Sequence, residues 1–249
     1  MSKVMTDEDI LTRLRDDHEY YGDFGRQYLS NSDIGTLLKN PMAFGVKRED
    51  SSTLAIGRYF HQLLLEPDKA KEVESIEVAS RNTKAYKEAI KESGKTLILL
   101  QKEINQVNEL VDRMKSNFQF FEGIYEDGNK FEVPAITKIL GVPFKGKADI
   151  VTDTCLIDLK TTSDIYKFKY SAYSYNYDSQ AYIYQLLFGK PLKFYVIDKQ
   201  TMLMGKFEPS PEFVERGKYK VHEAIKVYNR FFGEDAEESV SDYFIQEIL

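Results

Sequence analysis

The sequence has no tryptophan, one cysteine and three histidines among its 249 residues. A lone Cys155 cannot close an internal disulfide, and it excludes a four-cysteine iron–sulfur cluster and a thiolate zinc site. Any metal must sit on oxygen and imidazole, and His18, His61 and His222 are too few for a poly-histidine zinc centre. No run of about 18 apolar residues is present to span a bilayer. The N-terminal stretch MSKVMTDEDILTRLRDD is charged where a secretory signal would be apolar, so the expectation is a cytoplasmic protein with no membrane association. Excess positive charge is also missing: 34 basic residues stand against 40 acidic, a net charge of −6, which argues against coating nucleic acid through bulk charge but leaves room for a local basic channel. What the chain does carry is aromatic material, 17 Tyr and 16 Phe in a composition that is 42% hydrophobic. That suffices for a core and excludes a disordered, collagenous, coiled-coil or mucin-like chain.

Residues up to about Arg26 read as an N-terminal helix or arm. In LSNSDIGTLLKNPMAF, Ser32 is the expected N-cap, Ile34, Leu37 and Leu38 are spaced for a helix, and Pro41 ends it. Ile56, Phe60, Leu63 and Leu64 predict a second helix over Leu54 to Glu66, placing Gly57 and His61 one turn apart on one face. Arg81, Lys84, Lys87, Lys91 and Lys95 make a basic stripe on a helix over Arg81 to Gly94. Glu103 to Phe121 is an amphipathic helix. From Lys130 the pattern changes: FEVPAITKIL, PFKGKADIV, CLIDLKTT, KFYVIDK and LMGKFEP read as strands. A helix over Ser174 to Phe188 lies between the third and fourth, and Glu212 to Phe232 is helical again. The expected architecture is a mixed α/β (α+β) fold, a mixed central sheet flanked by helices. It is read as one domain over 1–249, with a mainly helical part (1–129), a sheet core (130–210), and a C-terminal helix with an acidic tail (211–249).

The chemistry concentrates in KADIVTDTCLIDLK. If the chain reverses at Asp153 and Thr154, residues whose numbers sum to 307 face each other, setting Asp149 opposite Asp158. Strand alternation puts Ala148, Ile150, Ile157 and Leu159 on one face and Asp149, Asp158 and Lys160 on the other. Facing carboxylates repel, and a hard divalent cation, Mg²⁺ or Mn²⁺, fits the gap. Lys160 can then orient or deprotonate a water and stabilise charge on a phosphodiester. The bland alternative is a surface Asp–Lys pair, less in keeping with charges inside the apolar strand LIDLKTT.

GKADIV followed by IDLKTT resembles the second and third motifs of the PD-(D/E)xK nuclease superfamily, with Asp158-Leu159-Lys160 as the D-x-K element. IGRYFHQLLLEP resembles the G-x-x-x-H helix of its RecB-like and RecE-like branch, and SQAYIYQ the Q-x-x-x-Y helix, through Gln180 and Tyr184. The motifs stand in the branch's order from Ser30 to Tyr184. Asn40 before Pro41 stands where iron–sulfur members carry cysteine, which places the chain with cluster-free members such as exonuclease VIII and phage recombination exonucleases. The resemblance implies that His61, Asp149, Asp158 and the Leu159 carbonyl bind Mg²⁺ or Mn²⁺, that Lys160 activates water, and that Gln180 lies near the metal site, holding Lys160 or a phosphate. It further implies an exonuclease acting on ends of linear DNA, often 5′ to 3′ on duplex, in recombination, repair or phage DNA metabolism. A single-strand annealing partner and a homo-oligomeric ring go with it. A structure-specific or single-strand nuclease, or a silent DNA-binding module, are the other readings.

Each residue has a plainer alternative. His61 alone would be a core histidine. Glu132 matches the acidic residue that relatives carry at the start of the first strand, and a solvated strand-start glutamate is nearly as good a reading. Arg58, Arg81, Lys84, Lys87 and Tyr184 are the candidates to follow a DNA backbone, against an ordinary solvated face or an interface tyrosine. His222 is taken as structural. The tail ends in Tyr243, Phe244, Ile245, Ile248 and Leu249, either a packed terminal helix or a partner contact.

Overall fold

A computed structural model of the chain describes residues 5–47 and 50–245. The helices are α1 (Asp7–Leu14), α2 (Asp17–Tyr21), α3 (Asn31–Lys39), α4 (Ser52–Leu65), α5 (Pro67–Lys71), α6 (Lys84–Ser93), α7 (Gln101–Ser116), α8 (Phe118–Tyr125), α9 (Phe168–Ser174), α10 (Tyr177–Phe188) and α11 (Pro211–Phe231). Two short strands, β1 (Ser75–Ile76) and β2 (Leu99–Leu100), pair in parallel. The main sheet runs in the order β3 (Lys130–Ile139), β4 (Val142–Val151), β5 (Leu156–Thr162), β6 (Leu192–Asp198) and β7 (Met204–Phe207). Within this sheet only the β5–β6 pairing is parallel, and α9 and α10 form the crossover that this requires. The fold is therefore the mixed α/β arrangement read from the strand and helix patterns. No helix among the described residues is long and apolar enough to cross a membrane.

Alternation along β5 and β6 splits the core in two. Ile157, Leu159, Tyr195 and Ile197 meet Phe60 and Leu64 of α4, Leu110 and Met114 of α7, and Phe120 of α8. Leu156, Phe194 and Val196 meet Phe168 of α9 and Ala181 of α10. A third cluster joins the far end of the β3–β4 hairpin to α3, α10 and α11. Each fully buried side chain of this size contributes roughly 1.5–3 kcal/mol, so α4 and α10 are clamped to opposite faces of the same strands.

Local chemistry moves several expected boundaries. The cap of α3 is Ser30 rather than Ser32, because Asp33 closes a capping box on Ser30. Arg81 lies outside α6, whose cap is Thr83; Gly94 ends the helix with φ +67°. The helix expected over Glu103 to Phe121 breaks at Asn117, whose side chain caps α8. The helix expected over Ser174 to Phe188 is α10, which starts at Tyr177 after Asn176 in the left-handed region at φ +58°; α9, absent from the sequence reading, precedes it and ends at Ser174. Gly57 has no protein atom within 4 Å of where a Cβ would stand, so it makes no close approach within the chain. In the tail, Tyr243 packs against Phe231 at 6.1 Å, whereas Phe244 and Ile245 are exposed; Ile248 and Leu249 lie outside the described residues.

α10 and α11 pack closely, and a Cβ at Gly217 would collide with the Asp178 carbonyl. Gly217→Ala is expected to force these helices apart at a cost of about 1–3 kcal/mol. A thermal melt checks this: the variant should lose several degrees, and an unchanged midpoint would mean that the contact gives way freely.

Candidate functional site

The site forms where strand pairing fails. β3 and β4 pair at Phe131↔Ile150 and again at Val133↔Ala148, and the rung between them, Glu132 opposite Asp149, is missing. Glu132 has φ +49°, a left-handed conformation that costs a residue with a Cβ about 1–2 kcal/mol. On the other side β4 pairs with β5 only at Ile150↔Ile157 and Val151↔Leu156, in the expected register, around a turn held by the Thr152 hydroxyl. Alternation does not survive this break. Ala148 joins Leu156 in one cluster while Ile150 joins Ile157 and Leu159 in the other, so the expected common face of Ala148 and Ile150 is corrected. The reason is the distorted rung at Asp149, between the two residues.

Freed from the ladder, Asp149 accepts a hydrogen bond from the Leu159 amide at 2.7 Å and lies 3.4 Å from Nδ1 of His61, which α4 brings in. Among the described residues, His61, Glu132 and Asp149 form a group whose ligand atoms all fall within 4.8 Å of one another. Asp158 stands beside this triad, not within it. Its Oδ1 accepts from Gln180 Nε2 at 2.6 Å. Its Oδ2 is buried without a hydrogen bond, with the Lys160 ammonium 2.6 Å away as an ion-pair partner outside hydrogen-bond angles. Lys160 also lies over the ring of Tyr177, 4.7 Å from its centre. α10 reaches this position because Gly146 lets Leu187 and Tyr184 close on β4, where a Cβ would stand 2.5 Å from Leu187.

Burial opposes charge throughout, and paired charges answer it. Burial alone would neutralise His61, but the Asp149 carboxylate holds it protonated and moves it up to about 9. Burial likewise works against ionised Asp149, and the imidazolium, with the Leu159 amide, keeps it below the usual carboxylate range. Glu132 is pushed up to about 8 by burial and by the neighbouring Asp149 charge. Burial raises Asp158, partly offset by Lys160, and Asp158 in turn keeps the buried Lys160 charged.

The structure thus brings His61, Glu132, Asp149, Asp158, Leu159, Lys160 and Gln180 together. The remaining candidates are engaged in other contacts. Arg58 is exposed and pairs with Asp50 at 3.0 Å. Arg81 is committed to Glu103 through both terminal nitrogens at 2.8 and 2.6 Å. Lys84 and Lys87 sit on α6, whose inner side (Tyr86, Ala89, Ile90) packs on Ile98 and Leu100 in a separate small core. Tyr184 is half-buried and donates to the Lys147 carbonyl at 3.0 Å, so it ties α10 to β4. His222 bonds the Tyr182 hydroxyl at 3.3 Å. Sequence reading missed Asp17 of α2, which binds Lys147 at 2.6 Å and Lys69 at 2.7 Å, and Lys145, which donates to the Tyr20 carbonyl and is pushed down to about 8 by burial. The signal was present in FKGKAD, where Lys145 and Lys147 share parity with Asp149 along β4.

Residues 39–241 match the model of a family described as a PDDEXK-like domain of unknown function (DUF3799). Among solved structures, the fold is similar to a "Putative exonuclease" from Eubacterium rectale, with a TM-score of 0.63 and 16% identity over 94% of this chain and 95% of that one. SSO0001 aligns at a TM-score of 0.33 and 16% identity over 82% and 89% of the two chains. No curated protein matches the sequence. PDDEXK nucleases in general use divalent metals, and the donor set here fits one: the carboxylates of Glu132 and Asp149 are hard oxygen ligands, the His61 imidazole is a borderline nitrogen donor, and Asp158 Oδ2 is buried without a hydrogen bond beside the Lys160 ammonium.

A cation entering the triad must displace the protons on His61, near 9, and Glu132, near 8. Each displaced proton weakens apparent binding roughly tenfold per pH unit below its pKa. Mn²⁺ affinity measured by calorimetry should therefore rise from pH 6 and level off near pH 9, with proton release on binding. A flat profile would show that these two groups do not face the metal.

Proposed function

Because the chain belongs to the PDDEXK-like family, a family built on a nuclease fold, we propose that it is a metal-dependent deoxyribonuclease that removes nucleotides from the ends of linear DNA, with Mg²⁺ or Mn²⁺ as cofactor. One observation carries the reading: the Asp158–Lys160 pair, steadied by Gln180, lies in the same break of the sheet as the His61–Glu132–Asp149 triad. The name borne by the Eubacterium rectale protein favours the exonuclease form. The likeness to exonuclease VIII and phage recombination exonucleases favours 5′-to-3′ action on duplex in recombination, repair or phage DNA metabolism. An annealing partner and a homo-oligomeric ring belong to that version.

In this reading His61, Glu132, Asp149, Asp158 and the Leu159 carbonyl hold the cation, which supplies Lewis-acid polarisation of the scissile phosphate when bound. Lys160, kept as an ammonium by Asp158, orients the attacking water and faces the charge that develops on the phosphoryl oxygens. Gln180 holds the other Asp158 oxygen, leaving the carboxylate one way to turn. The water oxygen bonds to phosphorus as the ester P–O bond breaks, leaving one phosphomonoester and one hydroxyl.

The test is end-labelled linear, circular and single-stranded DNA incubated with the protein and Mg²⁺, Mn²⁺, Ca²⁺ or EDTA. Linear DNA should shorten from its ends with Mg²⁺ or Mn²⁺, and not with Ca²⁺ or EDTA. Cutting of circles would indicate a structure-specific or single-strand endonuclease, and full activity in EDTA would remove the metal from the account. Lys160→Ala should lower single-turnover cleavage by roughly 10²–10⁴-fold with little change in DNA affinity, while Asp158→Ala should also lose Mn²⁺ affinity. If Lys160 and Asp158 formed only a structural pair, a folded Lys160→Ala protein would cleave at the wild-type rate.

A further inference from the structure

Five of the 17 tyrosines lie within the thirteen residues from Ile165 to Tyr177, IYKFKYSAYSYNY, a stretch with two lysines and no carboxylate in a chain of net charge −6. This is α9, with the short turn before it and the loop after it. Its inner side is apolar: Ile165, Phe168 and Ala172 are buried, and Phe168 packs on Phe194 and Phe207. Its outer side carries Tyr166, Tyr170 and Tyr173 at spacings of four and three, hence in a row. Tyr166, Tyr170 and Tyr175 are 81%, 63% and 67% exposed. The lysines are interleaved with the rings: Lys169 lies over Tyr170 at 5.0 Å, and Lys167, itself exposed, pairs with Asp164 at 3.1 Å. The row leads to the site. Tyr175 meets Tyr177 at 5.9 Å, Tyr177 stacks on Phe194 at 5.4 Å, and the Lys160 ammonium lies 4.7 Å from the Tyr177 ring.

We propose that the outer face of Ile165–Tyr177 is a stacking platform for single-stranded nucleic acid, leading one strand across Tyr175 and Tyr177 to Lys160. Exposed rings give bases a flat surface, and interleaved lysines meet the phosphates between them; a duplex keeps its bases inside and could use only the lysines. An acidic protein would satisfy the lysines but leave the rings unused. The inference rests on the nuclease reading for its direction, since it supposes that strand separation precedes cleavage.

The experiment measures binding of a fluorescein-labelled oligothymidylate, and of a blunt duplex of equal length, in EDTA so that no cleavage intervenes. Tyr166→Ala/Tyr170→Ala/Tyr175→Ala should weaken single-strand binding at least about tenfold and duplex binding by less than about twofold. Phenylalanine at the same three positions keeps the rings and should bind the oligonucleotide as wild type does. Lys167→Gln/Lys169→Gln should reduce the salt slope of single-strand binding by about 1.4. All three positions are exposed, so melting temperatures should hold, and light scattering reports the mass. Wild-type affinity in the alanine variant, equal loss on both DNAs, or dissociation of an oligomer on substitution would each overturn the platform. Absence of cleavage by the wild-type protein in Mg²⁺ and Mn²⁺, with the single-strand loss intact, would instead overturn the nuclease reading and leave the platform standing.

Discussion

The missing rung between β3 and β4 is the constraint from which the rest of the site follows. A continuous antiparallel ladder would point Asp149 wholly to one face of the sheet and bind its backbone to both neighbours. The left-handed turn at Glu132 prevents this, and β4 keeps β5 for only two pairs before the strands part. The Asp149 carboxylate then takes the Leu159 amide, a main-chain donor, as partner. One local distortion therefore opens the sheet, turns two carboxylates toward His61, and fixes β5 so that Asp158 and Lys160 stand beside them.

Burying His61, Asp149, Asp158 and Lys160 as charges is possible because each has a counter-charge or a hydrogen-bond donor, whereas Glu132 is pushed up to about 8 by burial and by Asp149. Removing one member of such a pair leaves the other desolvated, which is more costly than never forming the pair. The supports are correspondingly firm. α4 presents His61 while its Phe60 and Leu64 lie in the core beneath the sheet. α10 presents Gln180 from the opposite face, and its first turn is anchored by fully buried Asp178, which Lys220 of α11 binds at 2.9 Å. Asn31 of α3 adds bonds to Ser179 and to the Asn176 carbonyl. The site is positioned by helices packed on two faces of one sheet, so a shift of either would be felt at the Asp158 carboxylate.

The N-terminal helices contribute more than their sequence suggests. Asp17 bridges Lys147 and Lys69, and the ring of Tyr20 lies 4.1 Å from the Lys145 ammonium. Together they cover the lysines that share the Asp149 edge of β4. The Lys147 charge is thus paired by Asp17 of α2, while burial pushes Lys145 down to about 8.

Much of this was legible in the residues alone. The reversal around Asp153 and Thr154, the 307 register, and the D-x-K strand all follow from alternation and turn chemistry, which act over a few residues. His61 and Gln180 were legible as parts of ordered motifs. The boundary errors have local causes too: Asp33 selects Ser30 as cap, Asn117 interrupts a helix whose apolar periodicity runs on past it, and Asn176 sets the start of α10. Periodicity reports which face is apolar, not where the chain bends. What only the tertiary structure decided is the meeting of distant groups. Alternation assigned Ala148 and Ile150 to one face, and nothing in that pattern signals that Glu132, across the hairpin, breaks it. Arg81 looked like part of a basic stripe until Glu103, 22 residues on, claimed its guanidinium. Tyr166, Tyr170 and Tyr173 stand at helical spacing, but α9 is only seven residues long, too short for its period to stand out among residues that favour strands equally. Short-range rules determine elements, whereas strain at one residue, and which charge finds which partner, depend on contacts between segments that the sequence holds far apart.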